Sequence, residues 1–564
     1  MPQRIQDLHL YKAISRLSLN SPESVHSGES ANEFEEYLHV PRPIEEKLAE
    51  KMHAIEAAGG GIVLLVGSAG DGKSHLISRM KKRFDWDDSC YYNDATASSS
   101  PHLTAIQTLQ KALVDFSDER LETTTKKLVL AINLGKLNAF IDDPVNKGTY
   151  GALVHAAYPI FDNDDSTPPL ESSRIKVLVF SDEQVFEFYP EREDAYPVES
   201  AFLSSLLEKV VQRPSAGERP NPFYEEYERD MEAADNEKRR NPLLLNYRLL
   251  MLPEVRDCVV RTVIEAIIRS RLAITAREFL DFVYSVLVYP HPDYSEKKAF
   301  YDALLPNRMF CGGDNPILRA VAQLDPLRHN SKEHDQQLAE LFTSDCIPNG
   351  YINVSALPKE LTERTNAFYA NGRVDCERTT KFLFRLHHLM SYHSESDVYT
   401  SYLRVLRGVF TQDCTVLADI YTQVRAAIPR YCGSYDEAEG LVPIMVQGGR
   451  YKLFAALEME PLPAVGTFSE AQKNEFLLRF MLAWDANGQT VKLRMDYQLF
   501  TYIRELNAGR LSSSRETEKN MEFGAFIRKL AELCDSKKKV VVLSPDGVSM
   551  TLKESFGKLS LQKR

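Results

Sequence analysis

A glycine-rich segment near the start of the chain has the residue types and the spacing of a phosphate-binding loop. Backbone N–H groups can converge on a phosphate only where side chains leave room, and glycine leaves the most room. The segment matches the pattern G-x-x-x-x-G-K-[ST] in full. Its residues are Gly67, Ser68, Ala69, Gly70, Asp71, Gly72, Lys73 and Ser74. We therefore expect this loop to hold the phosphates of ATP.

Two residues at the end of this loop are expected to act on the phosphates directly. Lys73 should reach the β- and γ-phosphates, and Ser74 should ligate Mg²⁺ through its hydroxyl. The helix that starts near Lys73 adds N–H donors and the positive end of its dipole. ATP and Mg²⁺ are therefore the ligands that the sequence predicts.

The segments around the loop predict the elements that position it. Residues 61–66 form a continuous apolar run, which is typical of a buried parallel strand. After Ser74 the apolar residues recur at helical spacing. Further strands are predicted at residues 90–95, 127–133 and 175–180. This alternation of strands and helices indicates an α/β fold, a P-loop NTPase parallel sheet that binds nucleotide at the C-terminal ends of its strands.

Hydrolysis of ATP needs a further acidic residue, which holds Mg²⁺ or orients the attacking water. Asp182 and Glu183 follow the fourth predicted strand and are the favoured catalytic pair, with Asp182 also a candidate Mg²⁺ ligand. Asp94, at the end of the second strand, is the alternative. The third strand ends in Asn133, whose amide can support a hydrated Mg²⁺ but cannot act as a base.

The patterns along the chain divide it into four segments. A polar N-terminal segment (1–40) precedes the nucleotide-binding domain (41–200), and a helical lid domain (201–335) follows, with a capping box at Thr275. The last segment (336–564) has hairpin signals that indicate an α+β region, which could contact a partner or DNA. The hairpin turns are predicted at residues 448–449, 487–488 and 545–547.

Composition and charge exclude several classes of protein. The chain has 564 residues and a formal net charge of −12, which argues against a protein that coats nucleic acid through diffuse positive charge. Its eight cysteines form no C-x-x-C pair, as expected in a reducing cytosol. The N-terminus is polar, unlike a signal peptide, and no apolar run approaches the ~20 residues of a membrane helix. We therefore expect a cytoplasmic protein without a membrane partner.

Five strings of the chain lie in a characteristic order, at residues 37–40, 61–76, 93–96, 131–137 and 241–247. Together they resemble the DptF family, the ATPase component of bacterial DNA phosphorothioation-dependent restriction. The likeness covers most of the chain, although only the phosphate loop is specific by itself. Related P-loop families often carry Glu where this chain has Leu134, so the carboxylate expected at that position is missing.

The resemblance implies a subunit that acts, together with DptG-like and DptH-like subunits, on DNA that lacks the sulfur mark. In that role the chain would bind and hydrolyse ATP and contact DNA directly or through its partners, in defence against foreign DNA. An ATP-dependent switch or scaffold with little intrinsic hydrolysis is the alternative, and a homo-oligomer stays open. We expect an ATPase rather than a nuclease, because the sequence contains no nuclease constellation of paired carboxylates followed by Lys.

Overall fold

A computed structural model of the chain divides into two compact units. The first unit comprises residues 1–186, 200–267 and 272–393, and the second comprises residues 187–199, 268–271 and 394–564. The four-segment division predicted from the sequence stays a prediction. The structure describes residues 5–21, 33–67, 71–93, 105–161, 172–180, 185–215, 217, 219–235, 238–290, 297–329, 331–348, 350–370, 376–394, 396–431, 441–445, 452–464, 478–510, 520–534, 540–544, 549–555 and 558–563.

The first unit contains a four-stranded parallel sheet, which confirms the predicted α/β class. The strands lie in the order β2-β3-β1-β4, and every neighbouring pair is parallel. All C-terminal ends therefore meet at one edge of the sheet, with the end of β1 between the ends of β3 and β4. The strands are β1 (Gly61–Gly67), β2 (Tyr91–Asn93), β3 (Lys127–Asn133) and β4 (Ile175–Val179).

Both faces of this sheet are covered, so β1 is buried at all of its positions. Ile62, Leu64 and Val66 pack into one apolar cluster, and Val63 and Leu65 pack into a second cluster. Because neighbouring residues of a strand point to opposite faces, the two clusters lie on the two sides of the sheet. This is why β1 has a continuous apolar sequence instead of an alternating one.

Helices precede, follow and separate these strands. Leu76, Ile77 and Met80 of the helix after the loop pack into the same cluster as Val63 and Leu65. The predicted helical spacing after Ser74 is thereby confirmed. The helices up to residue 157 are α1 (His9–Ser15), α2 (Glu33–Leu38), α3 (Pro43–Ala57), α4 (Lys73–Arg83), α5 (Ala105–Leu113), α6 (Leu134–Asp142), α7 (Pro144–Thr149) and α8 (Gly151–Ala157).

The described residues between 200 and 393 are largely helical. The predicted capping box is confirmed, because Thr275 Oγ1 accepts from the Glu278 N–H and the Glu278 carboxylate accepts from the Thr275 N–H. In the described part of the chain no helix is both long enough and apolar enough to cross a bilayer. The helices are α9 (Ala201–Val211), α10 (Pro222–Glu232), α11 (Pro242–Leu250), α12 (Pro253–Ser270), α13 (Ala276–Leu287), α14 (Lys297–Asp302), α15 (Leu305–Met309), α16 (Pro316–Val321), α17 (Lys332–Thr343), α18 (Lys359–Ala370) and α19 (Cys376–Met390).

The second unit combines antiparallel sheets with helices. One sheet has the order β11-β10-β9, a second has the order β14-β13-β12-β8-β7, and β5 pairs with β6. Its strands are β5 (Glu187–Phe188), β6 (Val198–Glu199), β7 (Leu441–Met445), β8 (Lys452–Ala456), β9 (Met459–Pro461), β10 (Phe480–Ala486), β11 (Gln489–Met495), β12 (Val540–Leu543), β13 (Ser549–Ser555) and β14 (Lys558–Lys563). Its helices are α20 (Asp397–Thr411), α21 (Cys414–Tyr431), α22 (Tyr497–Asn507) and α23 (Met521–Leu533).

The three predicted hairpins are confirmed as antiparallel strand pairs. They join β7 to β8, β10 to β11, and β12 to β13. The turn between β10 and β11 is the predicted pair Asn487 and Gly488, both with positive φ. The predicted turn residues 448–449 and 545–547 lie outside the described residues.

Candidate functional site

The candidate phosphate loop connects the C-terminal end of a central strand to the N-terminus of a helix. β1 ends at Gly67, and α4 begins at Lys73. Gly72, directly before α4, has a φ of 96°, a left-handed conformation that glycine adopts without steric cost. Ser68, Ala69 and Gly70 lie outside the described residues. The described part of the loop therefore lies at the sheet edge that the sequence predicted, next to a helix N-terminus.

Gly67 leaves space that other side chains occupy. A Cβ atom at this position would lie 2.5 Å from Asp71 Oδ2 and 2.9 Å from Phe180 Cβ. The Asp71 carboxylate is thus folded back over the end of β1, beside the apolar residue that follows β4. The first glycine of the motif is required here because any side chain would displace this carboxylate or Phe180.

Lys73 is a buried cation at the start of α4. The residue is only 7% exposed. Burial lowers the pKa of its ammonium group, and the negative charge of Asp71 opposes that shift. A buried ammonium is costly unless an anion compensates it. Asp71 supplies part of that compensation, and phosphate oxygens at the neighbouring helix N-terminus would add to it.

Ser74 is held by a residue from a different strand. Asn93, the last residue of β2, donates from Nδ2 to Ser74 Oγ at 2.7 Å. The site residue predicted for this strand is Asp94, and Asn93 is not among the predicted site residues. The available signal was its position directly before Asp94, near the end of the predicted strand 90–95 and therefore near the sheet edge of the loop.

Asn133 stands next to the loop on the neighbouring strand. It is the register partner of Gly67 in the pairing of β1 with β3. Its Oδ1 accepts from the Gly135 N–H at 2.8 Å and so caps the start of α6. Its amide NH₂ group can only donate, which agrees with the prediction that this residue cannot act as a base.

The predicted catalytic carboxylates follow two strands of this sheet. Asp182 and Glu183 come after β4, which pairs directly with β1, and Val66 is the register partner of Val179. Asp94 comes after β2, whose last residue contacts Ser74. All three carboxylates lie outside the described residues, so their roles stay predictions.

A hydrogen-bonded network of polar side chains begins at His75, the residue after Ser74. His75 Nε2 lies 3.1 Å from His39 Nδ1, and His39 Nε2 lies 3.1 Å from Glu45 Oε1. Arg79 Nε donates to the other oxygen of Glu45 at 3.1 Å. Burial, and then the positive charges of His39 and Arg79, lower the pKa of His75 to about 4, so this histidine is neutral at pH 7. The network connects His39, which precedes α3, and Glu45, in the first turn of α3, to the first two turns of α4.

The donors near Ser74 fit Mg²⁺ better than a metal held entirely by protein. Within the described residues no group of three or more His, Cys, Asp or Glu side chains could hold a metal ion. Mg²⁺ usually keeps several waters and binds through one or two protein groups together with substrate phosphates. The hydroxyl of Ser74, with one added carboxylate from the residues after β2 or β4, has the composition of such a site.

Comparison with known proteins adds no relative to this picture. The likeness to the DptF family therefore stays a prediction that rests on the strings around and after the phosphate loop. No family model, no curated protein and no solved structure matches this chain.

Proposed function

We propose that the chain binds Mg·ATP at the loop of residues 67–74 and hydrolyses it. One observation carries the proposal. Where the central parallel strand β1 meets the N-terminus of α4, a buried lysine is followed directly by a serine whose hydroxyl accepts from a strand-end asparagine. Helix N-termini at the C-terminal edge of a parallel sheet favour the binding of phosphate groups.

The residues have separate roles in this proposal. Lys73 neutralises the β- and γ-phosphates, and Asn93 orients the Ser74 hydroxyl toward the metal. The Ser74 hydroxyl would hold Mg²⁺, whose positive charge would offset the negative charge that develops during phosphoryl transfer. Asp182 and Glu183 are the proposed acidic residues that hold the metal and orient water, and Asp94 is the alternative.

The biological role that we propose is that of an ATPase subunit in a cytoplasmic DNA restriction complex. The complex would act on DNA that lacks phosphorothioate marks, together with DptG-like and DptH-like subunits. The resemblance of the sequence to the DptF family supports this part of the proposal. A chain with a net charge of −12 is unsuited to binding DNA over its whole surface. DNA contact would therefore be made by partner subunits or by a local basic surface.

Replacing Lys73 by Ala tests nucleotide binding. Calorimetry on the full chain should detect uptake of Mg·ATP by the wild type and none by Lys73→Ala, and the variant should lose restriction as well. Lys82→Ala is a matched control, because Lys82 lies on the same helix, exposed and paired with Glu36. Failure of the wild type to bind Mg·ATP, alone or with its partners, would overturn the proposal.

A second candidate function is a nucleotide-dependent switch or scaffold with little hydrolysis. The observation that favours it is Asn133, an amide that caps its own helix on the strand next to β1. Turnover with and without DNA and partners separates the two functions. Loss of turnover in Asp182→Asn or Glu183→Gln would support the ATPase, whereas loss only in Asp94→Asn would move the catalytic role to the strand of Asn93.

A further inference from the structure

The phosphate loop contains an acidic residue, Asp71, that the proposed binding of ATP does not explain. Its sequence neighbours in the loop are glycines, and Lys73 follows two positions later. A carboxylate repels the phosphates that the loop is built to hold, so its presence there works against nucleotide binding.

The carboxylate is directed toward the end of β1. Oδ2 of Asp71 lies over Gly67, at 2.5 Å from the position that a Cβ atom would take. Phe180, which is 5% exposed, borders the same space with its own Cβ. Asp71 itself is half-buried. A charge next to an apolar wall is screened less than a charge in open solvent, so its field acts strongly on nearby groups.

Lys73 lies within that field. The negative charge of Asp71 raises the pKa of the Lys73 ammonium against the effect of burial. The carboxylate therefore stabilises the same cation that we assign to the nucleotide phosphates. Incoming phosphates must compete with Asp71 for Lys73 and also bear repulsion from it.

This repulsion depends on the charge of the ligand. Metal-free ATP carries roughly twice the negative charge of its magnesium complex, so a nearby carboxylate disfavours it roughly twice as much. The Ser74 hydroxyl, held by Asn93, lies one residue beyond Lys73 and offers the metal a ligand. The loop thus combines a group that attracts Mg²⁺ with a group that repels excess negative charge.

We propose that Asp71 is a specificity-determining residue, which makes the loop select the magnesium complex of a nucleoside triphosphate over the metal-free nucleotide. This inference rests on the proposed function, because it assigns a ligand preference to the same loop. It adds that the preference comes from repulsion of the wrong ligand as well as from the metal contact of Ser74.

The test compares the affinities of full-length variants for two ligands. Calorimetry would measure Kd for ATP with excess Mg²⁺ and for ATP with EDTA, at equal ionic strength. In Asp71→Asn, which keeps the shape of the side chain, metal-free ATP should bind about tenfold tighter and Mg·ATP no more than about threefold tighter. High salt should narrow the difference between wild type and variant.

Two further variants serve as controls. Asp85→Asn makes the same charge change at an exposed residue after α4 and should leave both affinities unchanged. Asp71→Glu keeps the charge and should keep the wild-type preference for the magnesium complex. Circular dichroism would check that each variant is folded.

The outcomes separate this inference from the proposed function. An equal change in both affinities, or no change, in Asp71→Asn would overturn the selectivity role while Mg·ATP binding by the wild type stands. Weaker binding of Mg·ATP by Asp71→Asn would also overturn it, since Asp71 would then help to hold the metal. A wild type that binds neither ligand would overturn both proposals.

Discussion

Strands β1 and β11 have the same length of seven residues but opposite burial patterns. Every residue of β1 is buried, whereas in β11 the buried residues Val491, Leu493 and Met495 alternate with more exposed ones. β1 lies inside a parallel sheet covered on both faces, and β11 is the edge of an antiparallel sheet. A strand like β1 is buried on both faces, so functional polar side chains can lie only at its end.

The C-terminal edge of the parallel sheet carries four of the polar residues that we discuss for the first unit. Lys73, Ser74, Asn93 and Asn133 all lie at or just beyond the C-terminal edge of that sheet. In the second unit, exposed polar residues such as Lys492 lie along the strand itself. Substitutions within β1 should therefore affect folding, and substitutions at its end should affect function.

The largest effect is expected from an acidic residue within β1. Leu65→Asp would bury an unpaired charge at a position that is 0% exposed, at a cost of about 5 kcal/mol or more. Lys492→Glu, at an exposed position of β11, should change the free energy of unfolding by less than about 1 kcal/mol. Urea unfolding of the full chain would measure both.

The two tryptophans allow each unit to be followed separately in this experiment. Trp86 belongs to the first unit and Trp484 to the second. Fluorescence in a Trp484→Phe background reports on the first unit, and fluorescence in a Trp86→Phe background reports on the second. Similar unfolding midpoints for Leu65→Asp and its background would contradict the contrast between the strands.

The next largest effect concerns buried ion pairs, of which each unit has an example. Arg385 Nε and Nη2 contact Asp325 at 3.1 and 2.5 Å, with side-chain exposures of 17% and 9%. Asp325→Asn should cost about 3–4 kcal/mol, because it leaves a buried guanidinium without its counter-charge. Asp496→Asn should cost about 1–2 kcal/mol, because its partner Arg271 is 33% exposed and can turn to water.

Asn is a conservative replacement at both of these positions. Each aspartate also accepts a backbone N–H, from Leu327 and Leu499 respectively, and Asn can keep that bond. The cost of each substitution therefore measures loss of the ion pair, that is, of the charge and of the hydrogen bond from arginine to the replaced oxygen. Equal costs in the two units would show that exposure of the arginine is not what decides the effect.

Acid should weaken the first unit selectively between pH 6.5 and 4. All 13 histidines lie in that unit. Burial, and then the charges of His387 and His393, lower the pKa of His388 from 6.5 to about 4. As the pH falls through this window the unfolded chain binds a proton that the folded chain excludes, so up to about 3 kcal/mol of stability is lost. Above pH 6.5 this contribution is fully present.

His388→Phe provides the measurement that isolates this residue. The variant cannot bind the proton, so its unfolding free energy should fall less steeply than that of the wild type between pH 6.5 and 4. His75, whose pKa is also lowered to about 4, contributes in the same direction and stays in both proteins. Identical slopes for variant and wild type would rule out His388 as a source of the acid sensitivity.

Local patterns in the sequence predicted elements well and predicted contacts between elements poorly. Residues 127–133 were predicted as a strand and form β3, and Asn487 with Gly488 forms the predicted turn. These features depend on neighbours within a few residues. The contact of Asn93 with Ser74 depends on the sheet order, in which β3 lies between β2 and β1. That order follows from the packing of all four strands, and no local spacing encodes it.

The smallest effect on stability is expected at two glycines with left-handed backbone, one in each unit. Gly72 and Gly488 have φ values of 96° and 80°, and a Cβ atom at either position would meet nothing within 4 Å. Substitution by Ala therefore adds no clash, and each should cost only about 1 kcal/mol for the strained backbone.

The two substitutions should differ in their effect on Mg·ATP binding, although they should cost a similar free energy of unfolding. Gly72 directly precedes Lys73 at the start of α4, so a shift of its backbone moves the N–H groups and the ammonium that we assign to the phosphates. Gly488 lies in a turn of the second unit. Gly72→Ala should weaken Mg·ATP binding about tenfold or more, and Gly488→Ala should leave it unchanged, in calorimetry on full-length proteins. Equal binding by the two variants would mean that the backbone at the end of β1 is not tuned for phosphate, and the contrast between the two kinds of strand would then concern folding alone.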